Sequence, residues 1–327
     1  MAARLNPPTP RTVDQFIRWA ERQLDAAGLH FGHGTERARD EAAWLVGSAL
    51  GLEPAQLAAH LRDPVPRAQS ARIHDLVATR VRTRKPAAYL LNEAWFAGRK
   101  FYVDERVLIP RSLTGEFILE RFAPWVAPRQ VRRALDLCTG SGCIAIALAH
   151  AFPAARIDAA DISPDALAVA RINVGHYRLG GRIRLIASDL FGALQGERYD
   201  LIVTNPPYVA AAEMRELPQE YRHEPALALV SGKSGLNAIG RILAAAADHL
   251  TPHGVLIAEV GNSAGALKRR FPRVPFTWLV TSGGDDSVFL LTAEQLARYR
   301  PARRAAFARR VGEKGRSTTS RRRAHRR

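Results

Sequence analysis

The sequence has 327 residues, a formal net charge of +17, 47% hydrophobic residues and two cysteines. This length and apolar content can bury the cores of one large and one small domain. The composition does not suggest a disulfide scaffold, no metal-ligand cluster is evident, and no stretch reaches the roughly 18 apolar residues that span a membrane. We therefore expect a cytoplasmic protein with no metal and no membrane contact.

The first part of the chain predicts a small helical domain, residues 1–86. Apolar residues recur at helical spacing from Val13 to Leu24, with Thr12 as a candidate N-cap and Gly28 as a candidate terminator. Further helices are predicted over residues 42–50 and 73–81. Aromatic and apolar residues around Gly98 then predict a hairpin within a connector, residues 87–112.

From residue 132 onward, short apolar runs alternate with helical segments, and we place a catalytic domain at residues 113–297. Helices are predicted to begin near Cys143, Pro164 and Leu236. This alternation is typical of an α/β fold whose mostly parallel sheet is covered on both faces. The last two strands are joined by a link too short for a crossover helix, so the sheet should end in one reversed strand. The predicted strands are 134–137, 156–160, 183–187, 201–204, 255–259, 276–280 and 288–291.

The end of the chain is strongly basic. Residues 301–327 contain eleven Lys or Arg residues and one acidic residue, Glu313, which gives a net charge of +10. Few large apolar residues are present to form a core, so a disordered tail is predicted over residues 298–327. Two interpretations stay open: a solvated tail without a specific role, or non-specific attraction to RNA phosphates.

A glycine-rich loop follows the first predicted strand, in the sequence Asp136-Leu137-Cys138-Thr139-Gly140-Ser141-Gly142-Cys143. Glycines allow close approach of a ligand, and the following helix offers free N–H groups. Asp161 ends the next strand, where a carboxylate can accept hydrogen bonds from a ribose diol. The loop also fits the dinucleotide pattern G-x-G-x-x-G/A, so a methyltransferase and a nicotinamide or flavin enzyme both stay open.

Two further carboxylates favour a methyl donor. Asp136 lies at the end of the strand just before the loop, where it can meet the ammonium group of a methionine moiety. Asp189 closes the third strand, where it can accept the adenine amino group. As a single residue, Asp189 is equally typical of a helix cap or a turn.

The tetrapeptide Asn205-Pro206-Pro207-Tyr208 directly follows the fourth strand, at the sheet edge where ligands of open α/β sheets bind. Because proline has no N–H, the segment presents acceptors, namely the side-chain oxygen of Asn205 and the carbonyl of Pro206. A substrate NH2 group needs two such acceptors, and the ring of Tyr208 can stack on a flat amide or base. The alternative is that the tetrapeptide is a proline-rich turn with a structural role only.

The chemistry of a planar nitrogen explains this arrangement. Its lone pair is delocalised, so it is a poor nucleophile. Two acceptors orient it towards a methyl group and stabilise the positive charge that develops on it. The methylated nitrogen is strongly acidic, so a strong general base is not required.

Together these motifs resemble the class I methyltransferases, and within them the protein-glutamine methyltransferases. Residues 31–35, 94–98, 101–111 and 220–225 are similar to the subfamily that modifies a glutamine of large-subunit ribosomal protein L-three. The relative that methylates the GGQ glutamine of release factors usually carries Ile-Pro-Arg-Pro-(Glu/Asp)-Thr-Glu. This chain departs from that segment after Arg111, which favours the ribosomal-protein subfamily.

The resemblance implies a seven-stranded, mostly parallel sheet with an antiparallel last strand, a preceding helical domain for substrate recognition, and S-adenosylmethionine as the cofactor. It implies that the cofactor is bound by Asp136, Thr139, Gly140, Gly142, Asp161, Asp189 and Asn205. It also implies that the substrate glutamine is held by Asn205, Pro206, Pro207 and Tyr208, of which Asn205, Pro206 and Tyr208 are catalytic. The expected partner is a large-subunit ribosomal protein.

Other functions remain as alternatives. They are methylation of the release-factor GGQ glutamine, methylation of an exocyclic adenine amino group, and RNA binding in ribosome assembly without turnover. The adenine alternative needs a target-recognition domain, which we do not find. Residues 222–225 are either a lid over the substrate or a structural loop. His33 is either a turn residue or a substrate contact, and Arg111 either forms an interdomain salt bridge or binds acidic groups.

Overall fold

The computed structural model describes residues 10–284 and 286–299. The chain forms two compact units. The first, here the helical unit, contains the residues up to Arg111 together with Arg215–Ala228, and the second, the sheet unit, contains Ser112–Met214 and the chain from Leu229 onward. Residues 293–299 are helical and include the first two residues of the predicted tail, whereas the remainder of that tail lies outside the described residues.

The helical unit is built on amphipathic helices that bury one face. Helix α1 begins after Thr12, which forms a capping box with Gln15, and it buries its apolar face from Val13 to Leu24. Helix α2 ends at Gly51 in the left-handed conformation, φ 72°. The helices in this part of the chain are α1 Val13–Ala26, α2 Ala38–Leu50, α3 Pro54–Leu57, α4 Arg67–Thr83 and α5 Ala87–Leu91.

The predicted hairpin follows these helices. Strands β1 Ala94–Phe96 and β2 Arg99–Phe101 pair antiparallel. Ala97 and Gly98 join them with φ values of 47° and 71°. Both linking residues are therefore left-handed, as a two-residue hairpin turn of type I′ requires.

Residues 215–228, which we call the strap, were not anticipated as part of the helical unit. In the sequence they lie between the tetrapeptide and the later strands, yet they cluster with the first 111 residues. The strap contains a 3-10 helix, Gln219–His223, and most of helix α9, Ala226–Leu229. The chain therefore leaves the sheet unit after Met214 and returns to it at Leu229.

The sheet unit contains, within the described residues, a seven-stranded sheet in the order β5-β4-β3-β6-β7-β9-β8. Strands β5, β4, β3, β6 and β7 are parallel neighbours. The strands are β3 Arg133–Leu137, β4 Arg156–Asp161, β5 Ile183–Ala187, β6 Tyr199–Thr204, β7 Leu250–Glu259, β8 Thr277–Leu279 and β9 Val288–Thr292. The helices are α6 Thr114–Leu119, α7 Cys143–Ala151, α8 Pro164–His176, α10 Asn237–Ala245 and α11 Ala264–Arg270.

The prediction of a mostly parallel sheet with a reversed last strand is confirmed. Strand β9 runs antiparallel to both β7 and β8. It lies between them, so the edge strand is β8 rather than the reversed strand. The central strands are buried on both faces, as in Leu201–Val203, because helices cover the parallel part of the sheet.

The described residues contain no helix long and apolar enough to cross a membrane.

Candidate active site

The candidate site residues lie where the parallel strands end. Strand β3 is flanked by β4 and β6, and the chain continues from β3 to β4 on one side and from β5 to β6 on the other. Such a reversal of strand order opens a crevice beyond the carboxyl ends of the strands. Leu137 of β3 pairs in register with Thr204 of β6, so the glycine-rich loop and Asn205 start side by side at this crevice.

The glycine-rich loop adopts a conformation that requires its glycines. Gly140 and Gly142 have φ values of 54° and 81°, and Gly142 is the N-cap of α7. A Cβ on Gly142 would lie 3.2 Å from Cβ of Ala170. A Cβ on Gly140 would meet no atom within 4 Å, so the loop is open at that point. Close helix packing on one side and open space on the other suit a loop that receives a ligand.

Asp136 braces this loop from inside. Its side chain is fully buried, and Oδ2 accepts hydrogen bonds from Oγ1 of Thr139 at 2.5 Å and from the amide of Ala145 at 2.9 Å. Oδ1 is buried without a hydrogen-bond partner among the described residues. Burial raises the pKa of Asp136 to about 7, against these two hydrogen bonds, which lower it. An unpaired buried oxygen is where a cation would be stabilised, so contact with a methionine ammonium group stays a prediction.

Asp136→Asn should flatten the pH dependence of stability. A carboxyl group with a raised folded-state pKa stabilises the fold fully below its unfolded pKa, and this contribution is lost as pH rises through the folded value. For Asp136 the loss should run from about pH 4 to about pH 7. Asparagine keeps the size and an acceptor oxygen but does not ionise. Thermal unfolding across this range should show a melting temperature that falls less steeply with pH in the variant, and identical slopes would contradict the assignment.

Asp161 connects the loop to the next strand. Oδ2 accepts from the amide of Gly140 and Oδ1 from the amide of Ser163, both at 2.9 Å. Burial raises the pKa of Asp161, and these backbone hydrogen bonds oppose the rise. Each carboxylate oxygen keeps a further lone pair, so Asp161 is fixed in place and still able to accept hydrogen bonds from a diol.

Asp189 has a partner that the sequence did not reveal. Arg241, in α10, donates two hydrogen bonds to its carboxylate, at 2.9 and 2.8 Å. These bonds and the charge of Arg241 lower the pKa of Asp189. Both side chains are about half exposed, so the pair contributes little to stability. Its effect is to orient the Asp189 carboxylate beyond the end of β5.

The tetrapeptide starts at the residue after β6. Oδ1 of Asn205 is buried without a hydrogen-bond partner in the described part of the chain. Pro206 is buried, whereas Asn205 and Tyr208 are partly exposed. A buried acceptor without a donor is costly, and a substrate N–H would satisfy it. Binding of a substrate NH2 group by Asn205 stays a prediction that this buried acceptor fits.

Two glycines fit closely around Tyr208, and neither was singled out from the sequence. A Cβ on Gly261 would lie 2.6 Å from Cε2 of the Tyr208 ring, and one on Gly235 would lie 2.2 Å from the Tyr208 carbonyl oxygen. That carbonyl also accepts a hydrogen bond from Oγ of Ser263 at 2.8 Å. The loop after β7 thus packs against the ring of Tyr208, and the segment before α10 packs against its backbone carbonyl.

Gly261→Ala should weaken binding of the substrate amide while binding of the methyl donor stays near normal. The added methyl group must displace the ring of Tyr208, and φ of 46° adds backbone strain. We expect a substrate KM increase of roughly tenfold, since a misplacement of about 1 Å in an active site can cost about a hundredfold in rate.

Gly265→Ala is the matched control for that variant. It lies in α11, and its Cβ would make only an ordinary contact, 3.5 Å from the guanidinium of Arg269. Steady-state kinetics with both variants tests the role of the ring. Equal KM values for the Gly261 variant and the wild type would contradict it.

The fold and the site together define a class I S-adenosylmethionine-dependent methyltransferase. Residues 115–232 match the family model described as the methyltransferase small domain, and residues 15–91 match the PrmC N-terminal domain. The chain is 50% identical over 286 residues to the ribosomal protein uL3 glutamine methyltransferase of Neisseria meningitidis serogroup A, covering 87% of this chain and 94% of that protein.

A second relative supports the same assignment. The chain is 49% identical over 287 residues to the ribosomal protein uL3 glutamine methyltransferase of Bordetella pertussis, which covers 88% of this chain and 96% of that protein. The chain belongs to the family of ribosomal protein uL3 glutamine methyltransferases.

The residues of the crevice fit S-adenosylmethionine, which supplies an electrophilic methyl group on a sulfonium. Oδ1 of Asp136 is a buried carboxyl oxygen without a hydrogen-bond partner among the described residues, and Gly140 leaves open space above the loop. Asp161 keeps free acceptor capacity, and Asp189 is oriented by Arg241. In residues 10–284 and 286–299, no group of three or more His, Cys, Asp or Glu side chains is arranged to hold a metal ion.

Proposed function

We propose that the protein transfers a methyl group from S-adenosylmethionine to the side-chain amide nitrogen of a glutamine in ribosomal protein uL3. The observation that carries the proposal is the buried Oδ1 of Asn205, which has no hydrogen-bond partner in residues 10–284 and 286–299, in a chain of this family. We infer the identity of the substrate from the close relatives, and we infer the reaction from the residues that line the crevice.

The residues of this chain act on the glutamine amide as acceptors. Oδ1 of Asn205 and the carbonyl of Pro206 each take one N–H of the amide, which fixes the nitrogen and directs its lone pair. The same acceptors stabilise the positive charge that develops on the nitrogen as the new carbon–nitrogen bond forms. The ring of Tyr208, packed against Gly261, covers the flat face of the amide. The cation formed by methyl transfer loses one proton from nitrogen to water and becomes the neutral methylamide, because an amide protonated on nitrogen is strongly acidic.

The test is incubation of purified uL3 with the protein and methyl-labelled S-adenosylmethionine, followed by hydrolysis and identification of the labelled product. Methylglutamine from uL3 is the expected result. A release factor containing GGQ and an adenine-containing nucleic acid are the parallel substrates. Label in the release factor but not in uL3, or label recovered as methyladenine, would overturn the proposal.

A ribosomal substrate leads to two further proposals. The first is that the reaction takes place in the cytoplasm, where ribosomal proteins are made. The second is that residues 301–327, with their net charge of +10, attract RNA without sequence specificity. Deleting residues 301–327 should weaken binding to ribosomal particles, most clearly at low salt, and leave methylation of isolated uL3 unchanged. Unchanged particle binding would contradict the role of the tail.

A further inference from the structure

The strap, residues 215–228, is continuous in the chain with the tetrapeptide. At its two ends the chain is fixed within the sheet unit, because the amide of Val209 donates to the carbonyl of Leu229 at 2.8 Å and the amide of Ser231 donates to the carbonyl of Val209 at 2.9 Å. Val209 directly follows Tyr208. Only residues 209–214 separate Tyr208 from the strap, so the path of the strap constrains the backbone next to the residues proposed to hold the substrate.

One buried glutamate of the strap, Glu224, binds an arginine of the helical unit. Arg111 donates to both of its carboxylate oxygens, at 2.5 and 2.8 Å, and the amide of Ile109 donates at 3.1 Å. Burial, the largest single influence, would raise the pKa of Glu224, but the charge of Arg111 and the hydrogen bonds from Arg111 and His33 together outweigh burial, and the pKa falls to about 2. The guanidinium of Arg111 also lies 5.4 Å from the ring centre of Tyr221, a neighbouring strap residue.

The second buried glutamate of the strap, Glu220, has a different set of partners in the helical unit. Its Oε1 lies 2.6 Å from a guanidinium nitrogen of Arg84 in an ion pair and accepts a hydrogen bond from the amide of His30 at 3.0 Å. Arg80 lies 3.9 Å away. Burial raises the pKa of Glu220, and the His30 amide and the two arginines lower it further than burial raises it. Glu220 and Glu224 are therefore both ionised at neutral pH with no exposed side-chain surface.

Ion pairs of this kind fix a segment in one position. Removing a carboxylate from water costs several kcal/mol, and only well-aligned partners offset that cost. An apolar contact tolerates a shift of an ångström, whereas a two-point bond between Arg111 and Glu224 does not. The strap is held by the two-point Arg111–Glu224 bond at one residue and by the contacts of Oε1 at Glu220, so its path is specified at both residues.

We propose that Glu220 and Glu224 are positioning residues for the glutamine site, acting through the strap on the tetrapeptide. This inference rests on the proposed function. By docking the strap, the helical unit sets the backbone conformation that follows Tyr208, and so the productive placement of the substrate amide. The glycine-rich loop is not part of this chain of contacts. Loss of docking should therefore impair use of the protein substrate and spare binding of S-adenosylmethionine.

The experiment compares Glu224→Gln and Glu220→Gln with Glu216→Gln. Glu216 is an exposed glutamate of the same strap and serves as the matched control. We expect the first two variants to raise the KM for uL3 about tenfold or more, with the dissociation constant of S-adenosylmethionine unchanged, and Glu216→Gln to behave as wild type. Wild-type KM values in both buried variants, or an equal loss of S-adenosylmethionine affinity, would overturn the inference.

Arg111→Lys tests the same contact with less disruption. Lysine keeps the charge and loses the two-point hydrogen bond, so an intermediate rise in KM is expected. If a glutamine variant does not fold, this variant gives the decisive result, and a wild-type KM in it contradicts the role of Glu224.

Hydrogen exchange provides a readout that does not depend on the substrate. Amides of residues 208–214 should exchange faster in Glu220→Gln and Glu224→Gln, whereas those of residues 139–145 should not change. Unchanged exchange over residues 208–214 would contradict the positioning role of Glu220 and Glu224. Failure of wild-type protein to methylate uL3, together with this faster exchange, would instead reject the proposed substrate and leave the coupling in place.

Discussion

Asn205→Ala should lower kcat for the protein substrate by about a hundredfold to a thousandfold, the range seen when one charge-stabilising group is removed from an active site. We propose Oδ1 of Asn205 as the side-chain acceptor for the substrate amide, because it is buried without a hydrogen-bond partner in the described residues. Without it, the nitrogen keeps one hydrogen bond to the carbonyl of Pro206 and is free to turn away from the methyl group. Single-turnover measurements with saturating uL3 separate this loss from weakened binding.

Asn205→Asp refines that experiment, because aspartate keeps an acceptor oxygen in nearly the same place. Its activity should lie between those of the wild type and the alanine variant. Thermal unfolding of all three proteins checks that the fold is retained. Full activity in a correctly folded alanine variant would refute the assignment of Asn205 to catalysis.

Arg80→Met should destabilise the helical unit by about 3–5 kcal/mol, the usual cost of breaking a buried ion pair on one side. The side chain of Arg80 is completely buried, and its Nε donates to Oε1 of Glu41 at 2.6 Å. It also donates to the backbone carbonyls of Arg84 and His30. Burial raises the pKa of Glu41 and Arg80 lowers it, so removing the arginine leaves a buried carboxylate without its main counter-charge.

Two companion variants make the Arg80 result specific. Arg82→Met lies on the exposed side of α4 and should change stability by less than about 0.5 kcal/mol. The double variant Arg80→Met/Glu41→Leu removes both charges and should recover part of the lost stability. Denaturant unfolding of the set measures these differences. Equal stability of the Arg80 and Arg82 variants would contradict the buried-pair interpretation.

Much of the sheet unit could be predicted from the sequence, because its strands are short apolar runs bounded by helices. Strand β5 has the predicted bounds, and α7 and α8 begin at the predicted residues. Strand β7 is longer than predicted. The prediction missed its first half because that half contains Pro252 and Gly254, residues typical of a turn. The irregular register between Tyr199 and Leu201 accommodates that half. Helix α4 begins earlier than predicted. Its first turns are polar, so the apolar spacing in the sequence did not reveal them.

The placement of the site residues at one edge of the sheet also followed from the sequence, because parallel strands share the direction of their carboxyl ends. The partners of those residues did not. Arg241 is 52 residues from Asp189 in the chain, and a lone arginine on a helix is indistinguishable from a solvated one. In the sequence, Gly235 and Gly261 resemble ordinary turn glycines, and only the structure shows the backbone of Tyr208 beside Gly235 and its ring beside Gly261.

The role of residues 222–225 was left open between a lid and a structural loop. Glu224 is buried against Arg111, so that residue serves to hold the segment. Charged residues are rarely buried, and nothing in the local pattern separates Glu220 and Glu224 from the exposed Glu216. Only the fold reveals the arginines that receive them.

The order in which this chain is synthesised has a consequence for its folding. Arg111 leaves the ribosome 113 residues before Glu224, its partner. His30 precedes Glu220 by 190 residues. The helices at the start of the chain therefore cannot form all their native contacts as they emerge. Their arginines that bind Glu220 and Glu224 stay accessible to water until most of the sheet has been synthesised. Maturation of the first unit is thus tied to translation of the second.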